Sequence, residues 1–350
     1  MMSVLARLRS IFPTTLSFSL AIAAGLYLIV VLGTLGDPNG GARWAFLVAL
    51  AGLAVLTSFR RSKIKPTAVV VLKWVHLLLA VLYFWGAVFG KWAKRGDPDQ
   101  GVFSSDGGTG FGLIAVILGV AFLVLAIMRI MGKSKVLPGL GVEQLTVILG
   151  VAAWMNILAF IVGWLATFEA GTGWGVVVAY FPASLIPQLG LITLSAAEPA
   201  TGIAPLEVGN RRTLSLVALL ASIGVAAFPF LAYLNAGSIS LSAMDGTAEG
   251  SFSGPRFGYM LLIIGVVVAV AALMRMRPNG LSEPGPNGLL GHALLTMGLV
   301  AFLVPFATLI STLRQDGISA GIGLWLGLLA GLVLIGVALV ENRTRGAVAA

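Results

Sequence analysis

Tyr180, Ser184 and Gln188 recur every four residues and so share one face of an apolar stretch that also carries Pro182 and Pro187. Proline lacks an amide hydrogen and its ring crowds the preceding turn, so a helix here is expected to kink or unwind. Hydroxyl and amide groups beside freed backbone carbonyls can line a small polar cavity, the usual setting of a solute site in carriers built on discontinuous helices. Asn156, in the preceding apolar stretch, is expected at comparable depth and would complete that cavity. The competing reading is a plain proline kink whose carbonyls are satisfied by these same side chains.

Other residues capable of chemistry are few. Lys73 and His76 lie one turn apart, and Lys73 is close enough to a span end to snorkel to the headgroups. His76 and His292 could in principle hold a haem by both axial positions, but their unequal depths favour histidines used in packing, and no cofactor is expected. All thirteen acids fall in loops or at span ends, which leaves no carboxylate at bilayer depth to carry a proton or bind sodium. Asp97, Asp99 and Asp106 could hold a metal and a lipid-phosphate donor. With glycine and serine around them and no histidine nearby, they read instead as solvated turns. No GxxxxGK[ST], HExxH or GxSxG motif occurs. The absence of cysteine removes thiol catalysis, disulfides and thiolate metal sites. The sequence therefore offers no catalytic residue and no metal site, and the chain is expected not to be an enzyme.

The elements that position these residues are long and apolar. About 20 apolar residues cross the hydrocarbon core as a helix, and ten stretches qualify: 14–35, 42–59, 67–90, 111–131, 143–168, 174–195, 213–235, 257–274, 291–312 and 320–340. With 58% hydrophobic and 10% charged residues and a mean hydropathy of +1.01, the chain has too little polar surface to coat a soluble globule. Its net charge of +9 comes from short basic clusters at span ends, with no polar aromatic domain to bind a strand, so no nucleic-acid partner is expected.

Lysine and arginine set the orientation. With the N-terminus cytoplasmic, fifteen fall inside, among them Arg60, Arg61, Lys63, Lys65, Arg129, Arg211, Arg212 and Arg275, against six outside. The positive-inside rule then places both termini in the cytoplasm. The first stretch follows Arg7 and Arg9 and lacks a small-x-small cleavage site, so it is expected to be a retained anchor. Trp44, Trp74, Trp85, Trp92, Trp164, Trp174 and Trp325 mostly lie toward span ends, as an interfacial belt requires.

The sequence also repeats. A shift of 146 residues lays FGLIAVILGVAFLVLAIMR, from Phe111, over FGYMLLIIGVVVAVAALMR, from Phe257, and the register extends to Asp99/Asp245 and Phe84/Phe230. The outward turns GDPNGG and GDPDQG, and the interruptions Pro229-Phe230 and Pro305-Phe306, echo the pattern. The expected architecture is an all-α integral membrane protein, one polytopic domain over 1–350. Its ten transmembrane helices form five hairpins: 14–60, 67–131, 143–195, 213–275 and 291–341. Each hairpin starts and ends inside, so the copies would be related by axes along the membrane normal and not by an in-plane axis.

A glycine-rich outward turn followed by a helix of the form FGxxxxxxGVxxxVxAxMR resembles the hairpins of multi-spanning envelope proteins of high-GC Gram-positive bacteria. Those proteins have no agreed activity, and the resemblance implies support of envelope or division machinery. Gly323, Gly327 and Gly331 form a small-residue stripe along the last span, where another helix is expected to approach, and Gly86 and Gly90 do the same in the third. The expected function is that of a non-enzymatic accessory or scaffold subunit of a cell-envelope complex in the inner membrane, with membrane lipids and other membrane subunits as partners. The alternative is a carrier or permease for a small solute or lipid, with its site at 180–188.

Overall fold

The computed structural model describes residues 66–94, 100–101, 110–137, 140–161, 171–196, 208–244, 257–276, 289–314 and 317–348. Eight helices dominate them: α1 (Pro66–Phe89), α2 (Gly110–Ile130), α3 (Val142–Ala159), α4 (Trp174–Ala196), α5 (Val208–Ala227), α6 (Gly258–Met276), α7 (Leu289–Thr312) and α8 (Ile322–Val348). Each is long and apolar enough to cross a membrane. The first expected hairpin, 14–60, lies outside the described residues, as do Trp44, Trp164, Asp97, Asp99, Asp106, Asp245 and Asp316.

α2 shows why such a sequence needs a bilayer. Phe111, Ile114, Ala115, Leu118, Phe122, Leu125, Ala126 and Arg129, at helical spacing, are buried. The opposite face carries Ile117, Val120, Val124 and Ile127, each about half exposed. A helix apolar on both faces has one for its neighbours and one for lipid. The repeat preserves this division, since Phe257, Gly265, Ala272 and Arg275 of the second copy are buried while Ile263, Val266 and Val270 are exposed.

The helices form two units of four. In the first, α1 packs against α2 and α4, and α3 against α4 and α2. In the second, α5 packs against α6 and α8, and α7 against α8, while α6 and α7 touch only lightly. The larger repeat is thus a pair of hairpins, with each helix of the first unit recurring roughly 146 residues later in the second. An even number of helices per unit gives both units the same direction through the membrane. α7 joins them by packing on α3 and α2.

Each unit carries a three-stranded sheet at one end of its helices. In the first, β1 (Lys91–Lys94) follows α1 and lies between β2 (Gln100–Gly101) and β5 (Gly171–Thr172), which precedes α4. In the second, β6 (Ala232–Ala236) lies between β7 (Ile239–Ser242) and β8 (Ile318–Ala320), which precedes α8. A two-strand pairing of β3 (Lys135–Leu137) with β4 (Leu140–Gly141) joins α2 to α3 at the opposite end. These connections had been expected as plain turns. Helix ends leave backbone groups unpaired, and antiparallel pairing satisfies them where the helices leave the apolar layer.

The span expected over 213–235 is shorter than its hydropathy suggests. α5 stops at Ala227, Phe228–Phe230 forms a turn of 3-10 helix, and Leu231 is extended with φ −82° and ψ 169°. Pro229 disfavours helix in the residue before it, and the run AYLNA then enters the sheet. Gly237, with φ +61°, makes the turn from β6 to β7 in the left-handed region open to glycine. Among the tryptophans, Trp74, Trp85, Trp174 and Trp325 are exposed, as a belt requires, whereas Trp92 on β1 is fully buried.

Candidate functional site

α4 runs unbroken through both of its prolines. The helix was expected to kink or unwind; it does not unwind, and α1 and α3 pack closely along it. Gly150 of α3 receives Pro187: a Cβ at Gly150 would stand 2.7 Å from the proline Cδ. Gly190 sits equally close to α3, with Val147 and Glu143 as its neighbours. On the other side Gly86 of α1 and Gly90, just past its end, meet Gly175 and Ala179, so glycine lines both approaches to α4.

These contacts set the depth of each expected site residue. Pro187 lies level with Gly150, and Asn156 is six residues further along α3, roughly 9 Å at 1.5 Å per residue. Asn156 is therefore level with the Tyr180 turn and well away from Gln188. Its Nδ2 donates to the Phe111 carbonyl in the first turn of α2 at 2.9 Å, while its Oδ1 has no partner among the described residues. Ser184 Oγ donates to Phe181 O of its own helix at 2.7 Å. Tyr180, Pro182, Ser184, Pro187 and Gln188 are all buried, and Gln188 Oε1 also lacks a partner. The residues grouped by spacing thus occupy two levels: Asn156 with Tyr180, and Ser184, Pro187 and Gln188 deeper.

The glycine stripe of α8 is uneven. A Cβ at Gly331 would stand 2.6 Å from the Phe302 amide nitrogen of α7, and one at Gly323 would stand 2.6 Å from Phe228 O. At Gly327 the nearest atom is Pro305 Cγ at 3.7 Å, an ordinary contact. Close backbone approach therefore occurs at two of the three positions.

Sequence reasoning missed the strongest polar contacts. Arg129 and Arg275, equivalent in the repeat, had been counted among the loop cations that set orientation. Both are buried in the last turn of their helices. Arg275 grips Glu341 of α8 through two parallel bonds, Nη2 to Oε1 at 2.7 Å and Nη1 to Oε2 at 3.1 Å, with the carboxylate fully buried. Arg129 reaches Thr193 of α4 at 3.1 Å and Thr146 of α3 at 3.5 Å, and its Nε lies 3.8 Å from Glu143. A signal existed: an arginine fixed in register at the end of two matching apolar helices. His76 is fully buried on α1, and neither ring nitrogen has a partner among the described residues.

A row of buried aromatic rings crosses from one unit to the other near the sheets. Trp92 meets Phe160 at 5.2 Å between ring centroids, Phe160 meets Phe111 at 5.9 Å, Phe111 meets Phe257 at 6.4 Å, and Phe257 meets Tyr233 at 5.6 Å. Phe111 and Phe257 are equivalent in the repeat, so the two units meet here through the same residue. Beside them Ser311 Oγ of α7 accepts the Gly110 amide of α2 at 2.7 Å, a second tie between units. Burial pushes the Tyr233 phenol well above its ordinary pKa, and its hydroxyl has no partner among the described residues. No protein-family model, curated protein or solved structure matches this chain.

Proposed function

We propose that the chain is a non-enzymatic accessory or scaffold subunit of a cell-envelope complex in the inner membrane. In this reading it has ten spans arranged as five hairpins, and both termini are cytoplasmic. The observation that supports it is how the polar side chains within the spans are used. Arg275 with Glu341, Arg129 with Thr146 and Thr193, and Asn156 with the Phe111 carbonyl tie one helix to another. Carriers commonly turn such groups toward a solute path, whereas a scaffold needs them to fix the shape it presents. The test is purification from cross-linked cells in mild detergent: a stoichiometric membrane-protein partner supports the scaffold, and a monodisperse chain holding a small molecule between helices overturns it. Orientation is tested by cysteines at Ser105, Ser251 and Ser282 in this cysteine-free chain. The first two should label from outside with an impermeant maleimide, and the third should not.

The carrier or permease reading has one observation in its favour, the buried oxygens of Gln188 and Asn156, which have no partner among the described residues. Gln188→Leu and Asn156→Leu would then abolish solute binding while leaving folded yield intact. If both variants keep their partner and no solute is found in the native protein, that reading fails.

A further inference from the structure

We propose that the crevice between α5, α6 and α7 is a binding site for one hydrocarbon chain of an anionic lipid, with the headgroup held over Arg212. This goes beyond the scaffold reading and does not depend on it. The crevice encloses about 140 Å³, and Ser215, Ala218, Val268, Ala271, Arg275 and Met297 form part of its wall. An apolar cavity of about 150 Å³ is large enough to stay dry and take up a benzene-sized guest.

The repeat shows how the side chains at three positions of this crevice differ from their counterparts in the first unit. Ala218, Val268 and Ala271 stand where the first unit has Leu72, Phe122 and Leu125. Phe122 is fully buried and packs edge-on against Tyr83 at 5.1 Å, while Leu125 is 4% exposed, so in the first unit these two positions are occupied by larger, packed side chains. In the second unit those side chains are shorter and α6 and α7 touch only lightly, so the gap opens sideways. At its mouth Val267 is 51% exposed and Ala293 is exposed as well. The mouth therefore faces the lipid side of spanning helices, and hydrocarbon is the solvent it meets.

Polar groups at one end of the crevice give the occupant a direction. Ser215 is 1% exposed, and its hydroxyl has no partner among the described residues, which suits the ester carbonyl at the top of an acyl chain. Arg212 lies one turn earlier on α5, at the end of the helix, and is exposed. An anionic phosphate there, an ester at Ser215 and a chain running on toward Met297 follow the order of groups in a phospholipid.

The full-length chain would be reconstituted into vesicles of phosphatidylcholine and phosphatidylglycerol containing a trace of either lipid with a diazirine on its acyl chain. Photolysis should label peptides covering 215–218, 267–275 and 293–297, with the phosphatidylglycerol probe favoured several-fold. Val268→Phe with Ala271→Leu, which installs the first unit's residues, should cut that labelling at least fivefold and leave labelling of the lipid face of α2 unchanged. Should that double variant fold poorly, Ala271→Leu alone serves as the milder filling. Arg212→Gln should abolish the preference for the anionic probe while chain labelling persists. Undiminished labelling in a folded, filled variant, or labelling of the crevice no stronger than of the α2 face, would overturn the proposal. Equal labelling by the two probes in the native chain would overturn its headgroup half.

Discussion

Arg129 and Arg275 occupy the same register of the repeat, yet their surroundings differ sharply. Arg275 is neutralised by a fully buried carboxylate in two-point contact. Arg129 has two threonine hydroxyls and a partly exposed glutamate at 3.8 Å, and its Nη1 has no partner among the described residues. The position matching Glu341 is Ser195. The shared arginine fixes where the second helix of each unit ends, and what differs is the partner it draws from the fourth helix. A buried charge pair is strongly committed, because either member alone is costly; a pair open to water is weakly committed.

The largest expected effect tests that commitment. Glu341→Gln leaves Arg275 buried beside a neutral amide, and unfolding in detergent should show a loss of about 3 to 5 kcal/mol. A loss under about 1 kcal/mol would mean that the pair is hydrated in the folded protein. Next comes the contrast within the α8 stripe. Gly331→Leu drives a side chain into the Phe302 backbone and should cost about 1 to 3 kcal/mol in the same assay, whereas Gly327→Ala meets only ordinary contacts and should melt within about 0.5 kcal/mol of the parent. Equal effects at the two sites would remove the distinction between tight and loose glycines. Glu143→Gln in the first unit should cost no more than about 1 kcal/mol, with the loss shrinking further in high salt. If it matched Glu341→Gln, the two arginine sites would be equivalent after all. The smallest change is expected at Tyr233→Phe. It removes a hydroxyl with no partner and should leave the melting temperature unchanged or slightly raised.

The length and lipid-facing character of the spans were legible in the sequence because they are local properties. α2, α6 and α7 fall within a few residues of 111–131, 257–274 and 291–312. The repeat was legible where it was strongest, in α2 and α6. Its extension to α3–α4 and α7–α8 was not, since those pairs share positions and few identities. α5 was overextended because AYLNA is as apolar in a strand as in a helix, so hydropathy is blind to the change at Pro229. Asn156 was expected at a depth comparable to that of Tyr180, Ser184 and Gln188. Its real depth follows from Gly150 meeting Pro187, a contact between helices that no single-chain period encodes. The link from Arg275 to Glu341 spans 66 residues and depends on how α8 packs, so the sequence marked the arginine without its partner.

The meeting of Phe111 with Phe257 sets a residue against its own counterpart in the repeat. Packing of a residue against its own counterpart is the kind of contact found at an isologous interface between two identical chains. Two identical four-helix chains paired through this phenylalanine would bear every substitution twice, once in each copy. Two copies within one chain are free of that constraint. One arginine could then take a carboxylate while the other kept hydroxyls, and one unit could trim its side chains without loosening its twin.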